Sequence, residues 1–429
     1  SNNNVPVNSM ALPIEIEAAI TGPSGSLSLE AIYDMTLDAD GNVYAVGVMR
    51  GSQVTVQGGG SNTYTATNNC TIGMNPFVMK YDNTGVSWFK IIDACGVATA
   101  VDVDASGEVF VSLNTLGDLS FAGGTHTTAG WHDFAILRYD ANGNEEMFHA
   151  EGGIGADYVV DMKVNNGKII LTGMTIDINA IVQNTGTINQ YSLGGQMFTY
   201  HDYSYQQNSS YFGDGFTISY NYNATTISND WVDVIAAPLV ANKLAVEPSG
   251  NIYVIGVALE TFSFPHVVPG GGGQIAVNAQ LSGGIPAATS QPNVNIDVDA
   301  FIVSYTNSGS KRWGRLYGSP ALDYPETVSN NNNSGSLFHQ TDIRISTSGE
   351  LYAALQSQAT ITGAPVPGST LSFQTQMGSH VVNLNSADGS IGAGEWSVPA
   401  ALPVSSTYTS TVNGTTYTTT LVGNTVTHP

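Results

Sequence analysis

Five times along the chain a short apolar run meets a tight polar turn and gives way to an alternating, strand-like segment. The copies occupy residues 34–47, 100–111, 161–173, 243–256 and 342–353, and each carries a glycine in its turn, at Gly41, Gly107, Gly167, Gly250 and Gly349. Alternation with period two predicts a strand on each side of the turn, hence a hairpin. Between 60 and 99 residues separate successive turn glycines, so the pattern is a structural repeat and sets the architecture of the chain. A third predicted strand follows in each repeat, at 77–82, 133–140, 215–221, 299–305 and 380–384. In three of them Phe and Tyr stand four residues apart (Phe77 and Tyr81, Phe216 and Tyr220, Phe301 and Tyr305), a spacing that puts both rings on one face of a strand. Phe134 and Tyr139 are five apart and fall on opposite faces unless a bulge intervenes. Predicted fourth strands carry Trp88, Met147, Trp231, Trp313 and Trp396.

Four strands per repeat, joined by turns, with no amphipathic helical stretch, predict an all-β chain: a β-propeller of four-stranded antiparallel blades. The repeats span 31–95, 97–152, 156–236, 241–318 and 340–402. A strand-like segment at 14–20 and an Asn-Gly hairpin at 407–422 match no repeat, and together they supply a composite sixth blade; five or seven blades are the alternatives. Residues 1–12 read as a polar arm, and 13–429 as one domain. The stretch Asp299-Ala-Phe-Ile-Val-Ser-Tyr305, with Trp313-Gly-Arg-Leu-Tyr-Gly318 and Gly250-Asn-Ile-Tyr-Val-Ile-Gly256, resembles the bacterial β-propeller repeat family. That resemblance covers about residues 31–400 and implies the fold, but no common activity and no catalytic residue.

Composition changes the picture in three respects. Charged residues are 10 % of the chain, against roughly a quarter in an average soluble protein, while Gly numbers 48. Eleven basic against 34 acidic residues give a net charge of −23, which repels nucleic acid and anionic membranes. No run approaches the roughly 18 apolar residues of a membrane helix, and the start at Ser1 reads as a processed, secreted chain. Secretion places the protein outside the cell or on its surface. Cys70 and Cys95 flank the hairpin of the first repeat, where one disulfide is feasible and two free thiols are the alternative.

Candidate chemistry is sparse. Asp38 and Asp40 precede Gly41 as carboxylates do in a Ca²⁺ loop, but the later copies replace the second acid, and a plain turn accounts for all five; no other cofactor is expected. The eight histidines show no zinc spacing, and no nucleophile elbow, dinucleotide fingerprint or phosphate loop is present. Glu145 and Glu146 read as solvated surface rather than as a glycosidase pair. An aromatic insert, Tyr191, Phe198, Tyr200, Tyr203, Tyr205, Tyr211 and Phe212, suits stacking on a sugar or a protein, or folds over its own blade. Whatever is distinctive lies where the repeat fails, at the termini and in the inserts. The function expected is therefore non-enzymatic: a secreted structural subunit that polymerises with copies of itself into a filament or surface layer. Val5, Val7, Tyr408, Val412, Tyr417 and Leu421 are the candidate inter-subunit residues. The alternative is a surface adhesin that grips a glycan or protein through the aromatic insert.

Overall fold

A computed structural model describes residues 30–50, 53–57, 61–65, 70, 74–153, 155–176, 190–199, 213–258, 266–267, 274–275, 299–318, 341–346, 348–357, 362–363, 378–390, 396–397, 406–412, 415–422 and 425–427. The arm at 1–12, with Val5 and Val7, and the strand expected at 14–20 lie outside them.

Among the described residues there is no helix, and the chain is all-β. Repeat one runs through Glu30–Leu37, Val43–Arg50, Met74–Asp82 and Gly85–Ile91, each strand hydrogen-bonded to the next. Repeat two does the same with Ala94–Val103, Val109–Phe121, Asp133–Tyr139 and Glu145–Glu151. Repeats three and four form one continuous sheet. Ala156–Asn165, Lys168–Ile176 and Gly213–Tyr222 lead into the 20-residue strand Ile227–Val246, which continues through Ile252–Ala258, Asp299–Tyr305 and Lys311–Gly318. Residues 227–239 of the long strand pair antiparallel with Gly213–Tyr222, and residues 239–246 with Ile252–Ala258. One strand therefore closes the third repeat and opens the fourth. Repeat five comprises Asp342–Ile345, Leu351–Ser357, Gly378–Leu384 and Trp396–Ser397. A separate three-stranded antiparallel sheet, Ser406–Val412, Thr415–Val422 and Thr425–Thr427, follows. The chain packs as two compact bodies, one from the residues up to Thr128 with Ala135–Ala150, the other from Ala129–Phe134 with the residues beyond Glu151.

The repeat is copied in its irregularities as well as in its strands. The first strand of repeats one to four carries a register shift at the same place, between Ile32 and Asp34, Ala98 and Ala100, Val159 and Asp161, and Ala241 and Lys243. A bulge there leaves one residue unpaired and re-aims its neighbours. All five turn glycines adopt positive φ, from +79° at Gly167 to +91° at Gly250, a region that side chains with a Cβ rarely enter. The second-strand glycine has a different reason. A Cβ at Gly47 would fall on the carbonyl oxygen of Ala31, and one at Gly173 on that of Tyr158, because the bulge turns these carbonyls inward.

The third strand of repeat two is buried on both faces, through all seven residues of Asp133–Tyr139. The five-residue spacing in that strand separates its two rings. Phe134 stacks on Phe216 at 5.9 Å, while Tyr139 packs against Trp88 and edge-on against Phe121. Phe301 and Tyr305, four apart, share one buried cluster with Leu244 and Val254. Trp396 pairs with Val381, whereas Trp88, Trp231 and Trp313 pair with Lys80, Ser219 and Ser304; the Lys80 place in repeat five belongs to Asn383, so Trp396 sits two residues out of step.

Candidate functional site

The turn at Asp38 shows how its carboxylate is used. Oδ1 accepts from the amides of Asp40 and Asn42, and Oδ2 from Asn42 Nδ2 and the Tyr44 hydroxyl. Burial pushes this carboxyl up, but the bonds from Asn42, Tyr44 and Asp40 outweigh it and hold it below the usual range. Asp104 caps Ser106 and Glu108 in the same way, and Glu247 takes Ser249, Asn251 and the Tyr253 hydroxyl. The recurring arrangement is an acid side chain closing its own turn. Among the described residues no three His, Cys, Asp or Glu converge to hold a metal.

Cys70 and Cys95 are bonded to each other, with Cα atoms 5.1 Å apart. Tyr191 and Phe198 face one another across the hairpin Gln190–Leu193 and Gln196–Thr199, their rings stacked at 5.6 Å, and Tyr191 is buried. Phe198 is half-buried. Tyr200, Tyr203, Tyr205, Tyr211 and Phe212 lie outside the described residues. In the C-terminal sheet, Ser410 opposite Tyr417 and Ser406 opposite Leu421 fix the register. The candidate inter-subunit residues Tyr408 and Val412 lie on its first strand, and Tyr417 and Leu421 on its second. Glu146 pairs with Arg138, which also binds Glu108, and Glu145 accepts the amide of Ala122, so both acids serve local structure.

Two features escaped the sequence reading. The first is a buried carboxylate group in the second body. Asp133 accepts the amide of Ala129 and abuts Gly152; Asp157 accepts the amide of Gly153; Glu151 accepts the amide of Gly194. Burial pushes the Asp157 carboxyl up, hydrogen bonds from Thr175 and Gly153 oppose this, and the charges of Asp133 and Glu151 add to it, leaving it at about 6. Beside it, His132 contacts the Tyr158 hydroxyl through Nδ1 at 2.9 Å, and burial lowers its imidazole to about 4. The folded protein holds the Asp157 proton to higher pH than the unfolded chain does. Its contribution to stability is thus complete below the unfolded value near 3.8 and falls as pH rises through about 6. His132 acts with the opposite sign, losing stability as pH falls below its unfolded value. The comparison that isolates the carboxylate is wild type against Asp157→Asn. From pH 4.5 to 7.5 the variant is expected to gain about 2 kcal/mol on wild type in urea unfolding. A constant difference would show that Asp157 titrates normally.

The second feature is a seam repeated between consecutive repeats. Asp34 Oδ2 accepts the amide of Val101 at 3.1 Å, and Asp161 Oδ2 accepts the equivalent amide of Leu244 at 2.8 Å. Fourth-strand tryptophans add the other half. The indole N–H groups of Trp88, Trp231 and Trp313 donate to the turn carbonyls of Ala141, Asn307 and Ser386 in the following repeat, and their rings lie over Gly143, Gly309 and Gly389. Apolar residues fill the space between, with Tyr44, Val46 and Val78 in one buried cluster with Ala98 and Val101.

No family model matches the sequence, and no curated protein does. Among solved structures, an ACO/RPE65 chimera aligns over 91 % of this chain at 9 % identity and a TM-score of 0.32; the alignment covers 66 % of that protein, just under two thirds of its length. A mutant of the Synechocystis apocarotenoid oxygenase aligns over 85 % of this chain and 70 % of its own, at 10 % identity and a TM-score of 0.30. A europium-containing methanol dehydrogenase aligns over 87 % and 73 %, at 11 % identity and a TM-score of 0.31.

Proposed function

We propose that the chain is a non-enzymatic, secreted structural protein, a β-propeller whose blades are the four-stranded repeats and which assembles with copies of itself into an extracellular filament or surface layer. The blade count follows the same reading: five repeats, with 14–20 and 407–422 contributing a sixth. One observation carries the self-assembly. Met35 is 56 % exposed in the folded chain, whereas the residues at its place in the other repeats, Val101, Met162, Leu244 and Ile343, are 0 to 1 % exposed. An apolar position that every other repeat buries is left open at the first, beside exposed Ile32 and Leu37. Contiguous apolar surface of this kind marks a contact face. The Cys70–Cys95 bond supports an oxidising, extracellular setting.

Size-exclusion chromatography with light scattering and negative-stain microscopy of the purified protein test the reading. Ordered polymers that grow with concentration are expected; a monomer at every concentration would defeat it. The adhesin alternative rests on the aromatic insert from Tyr191 to Phe212, and saturable binding on a glycan array by a strictly monomeric protein would favour it instead.

A further inference from the structure

Five Asn-x-Ser/Thr triplets occur in the chain, at Asn69, Asn208, Asn223, Asn332 and Asn413, and that of Asn223 lies wholly within the described residues. A sequence this rich in Asn and Thr contains such triplets by chance, so the triplet alone assigns nothing. The turn that holds this one is the informative part. Asn223-Ala-Thr-Thr226 joins the third strand of repeat three, Gly213–Tyr222, to the fourth, which begins at Ile227. In the other four repeats the same turn contains a glycine at positive φ, namely Gly85, Gly143, Gly309 and Gly389. Repeat three has no glycine there, and none of its turn residues takes positive φ.

The Asn223 side chain closes this turn instead. Its Oδ1 accepts from the amides of Thr225 and Thr226 and from the Thr225 hydroxyl, while Nδ2 donates to the Thr226 hydroxyl at 2.7 Å. Asp82 with Thr84, and Asp104 with Ser106, make the same closure through a carboxylate oxygen that takes both the amide and the hydroxyl two residues on. A charged acceptor makes the stronger bonds of the two. Repeat three therefore keeps the geometry and the hydroxyl but exchanges the carboxylate for an amide, which adds a nitrogen that the turn does not require. All four turn residues are exposed. So are Asn142 and Ser308, at the tips of the corresponding turns in repeats two and four, although a tryptophan ring lies over the glycine next to each. Exposure thus belongs to the turn itself. Ten residues of strand, at about 3.3 Å each, place it roughly 30 Å from Gly213, where the aromatic insert joins.

We infer that Asn223 is a site of N-linked glycosylation. The inference rests on the secreted reading, because the sugar donor, a saccharide carried on a lipid pyrophosphate, is used on exported chains. Nδ2 attacks C1 of that saccharide, and the N–C1 bond forms as the bond from C1 to the pyrophosphate oxygen breaks. The lipid pyrophosphate leaves with the electron pair, and the amide nitrogen gives up one of its two hydrogens as a proton. The other hydrogen remains for the Thr226 hydroxyl, so the turn stays closed with the sugar in place. Ala224 in the middle position meets the requirement that proline be absent there.

Chymotryptic mapping by mass spectrometry of the protein taken from its own source tests this. Cleavage after Tyr222 and Trp231 releases residues 223–231 as one peptide. That peptide is expected to be heavier than its sequence by the mass of a saccharide, to yield sugar fragment ions, and to carry the sugar on Asn223. In the same source Thr225→Ser is expected to retain the modification, and Thr225→Ala and Asn223→Gln to lose it. An unmodified peptide in protein collected from outside the cell overturns the inference and leaves secretion standing. Sugar that persists in Asn223→Gln, on Thr225, Thr226 or Ser228, overturns it as well. Protein found in the cytoplasm alone removes both readings.

Discussion

Gly173→Val is expected to prevent the second body from folding, with a loss of more than about 4 kcal/mol and little soluble protein. Gly173 lies between Val159 and Phe216 in the sheet, immediately beside the register shift that turns the Tyr158 carbonyl toward it. A Cβ would land on that oxygen and 2.8 Å from the Phe216 ring. A side-chain tip can swing away from such a clash, but a carbonyl fixed by a bulge cannot. Gly41→Ala makes the useful contrast, since nothing lies within 4 Å of its added carbon and only the positive φ is penalised, by about 1 kcal/mol. Urea midpoints of the two variants separate the steric cost from the conformational one. Equal effects would show that the sheet gives way at Gly173 as easily as a surface turn does.

Trp313→Ala is expected to cost about 4 kcal/mol, and Trp313→Phe about 1 kcal/mol. The indole belongs to the buried cluster that joins repeats four and five, covers Gly389, and donates to Ser386 at 3.0 Å. Alanine removes the packing and the bond together, and leaves a cavity in a cluster where Tyr253, Tyr317 and Arg312 also reach the turn of repeat five. Phenylalanine keeps most of the packing and loses the donor. Thermal melts read the difference as a large and a small fall in midpoint. A Phe variant as damaged as the Ala variant would mean that the hydrogen bond, not the ring, holds the seam.

The strands and turns were legible because they are local. Alternation, the turn glycine and the Phe–Tyr spacing each act within a dozen residues, and the five repeats let one copy vouch for another. The tryptophans were visible as a pattern, but their purpose was not, since the carbonyls they bind lie 53, 76 and 73 residues further along the chain. The carboxylates at Asp133, Glu151 and Asp157 went unrecognised for a related reason: they come from three different strands, and only the fold gathers them. The stacking of Tyr191 on Phe198 was not legible because an aromatic insert has the same composition whether its rings face outward or pack on each other.

The 20-residue strand Ile227–Val246 bears on how the molecule yields to force and to proteases. A hairpin or linker between two sheets is where a chain is cut and where one part can open without the other. Between repeats three and four the backbone is strand throughout, hydrogen-bonded first to one sheet and then to the next. Tension applied to either sheet passes directly along the main chain into the other, and no slack loop absorbs it. These two repeats are therefore expected to rupture in one step when pulled, and two separate force peaks would show that they yield independently.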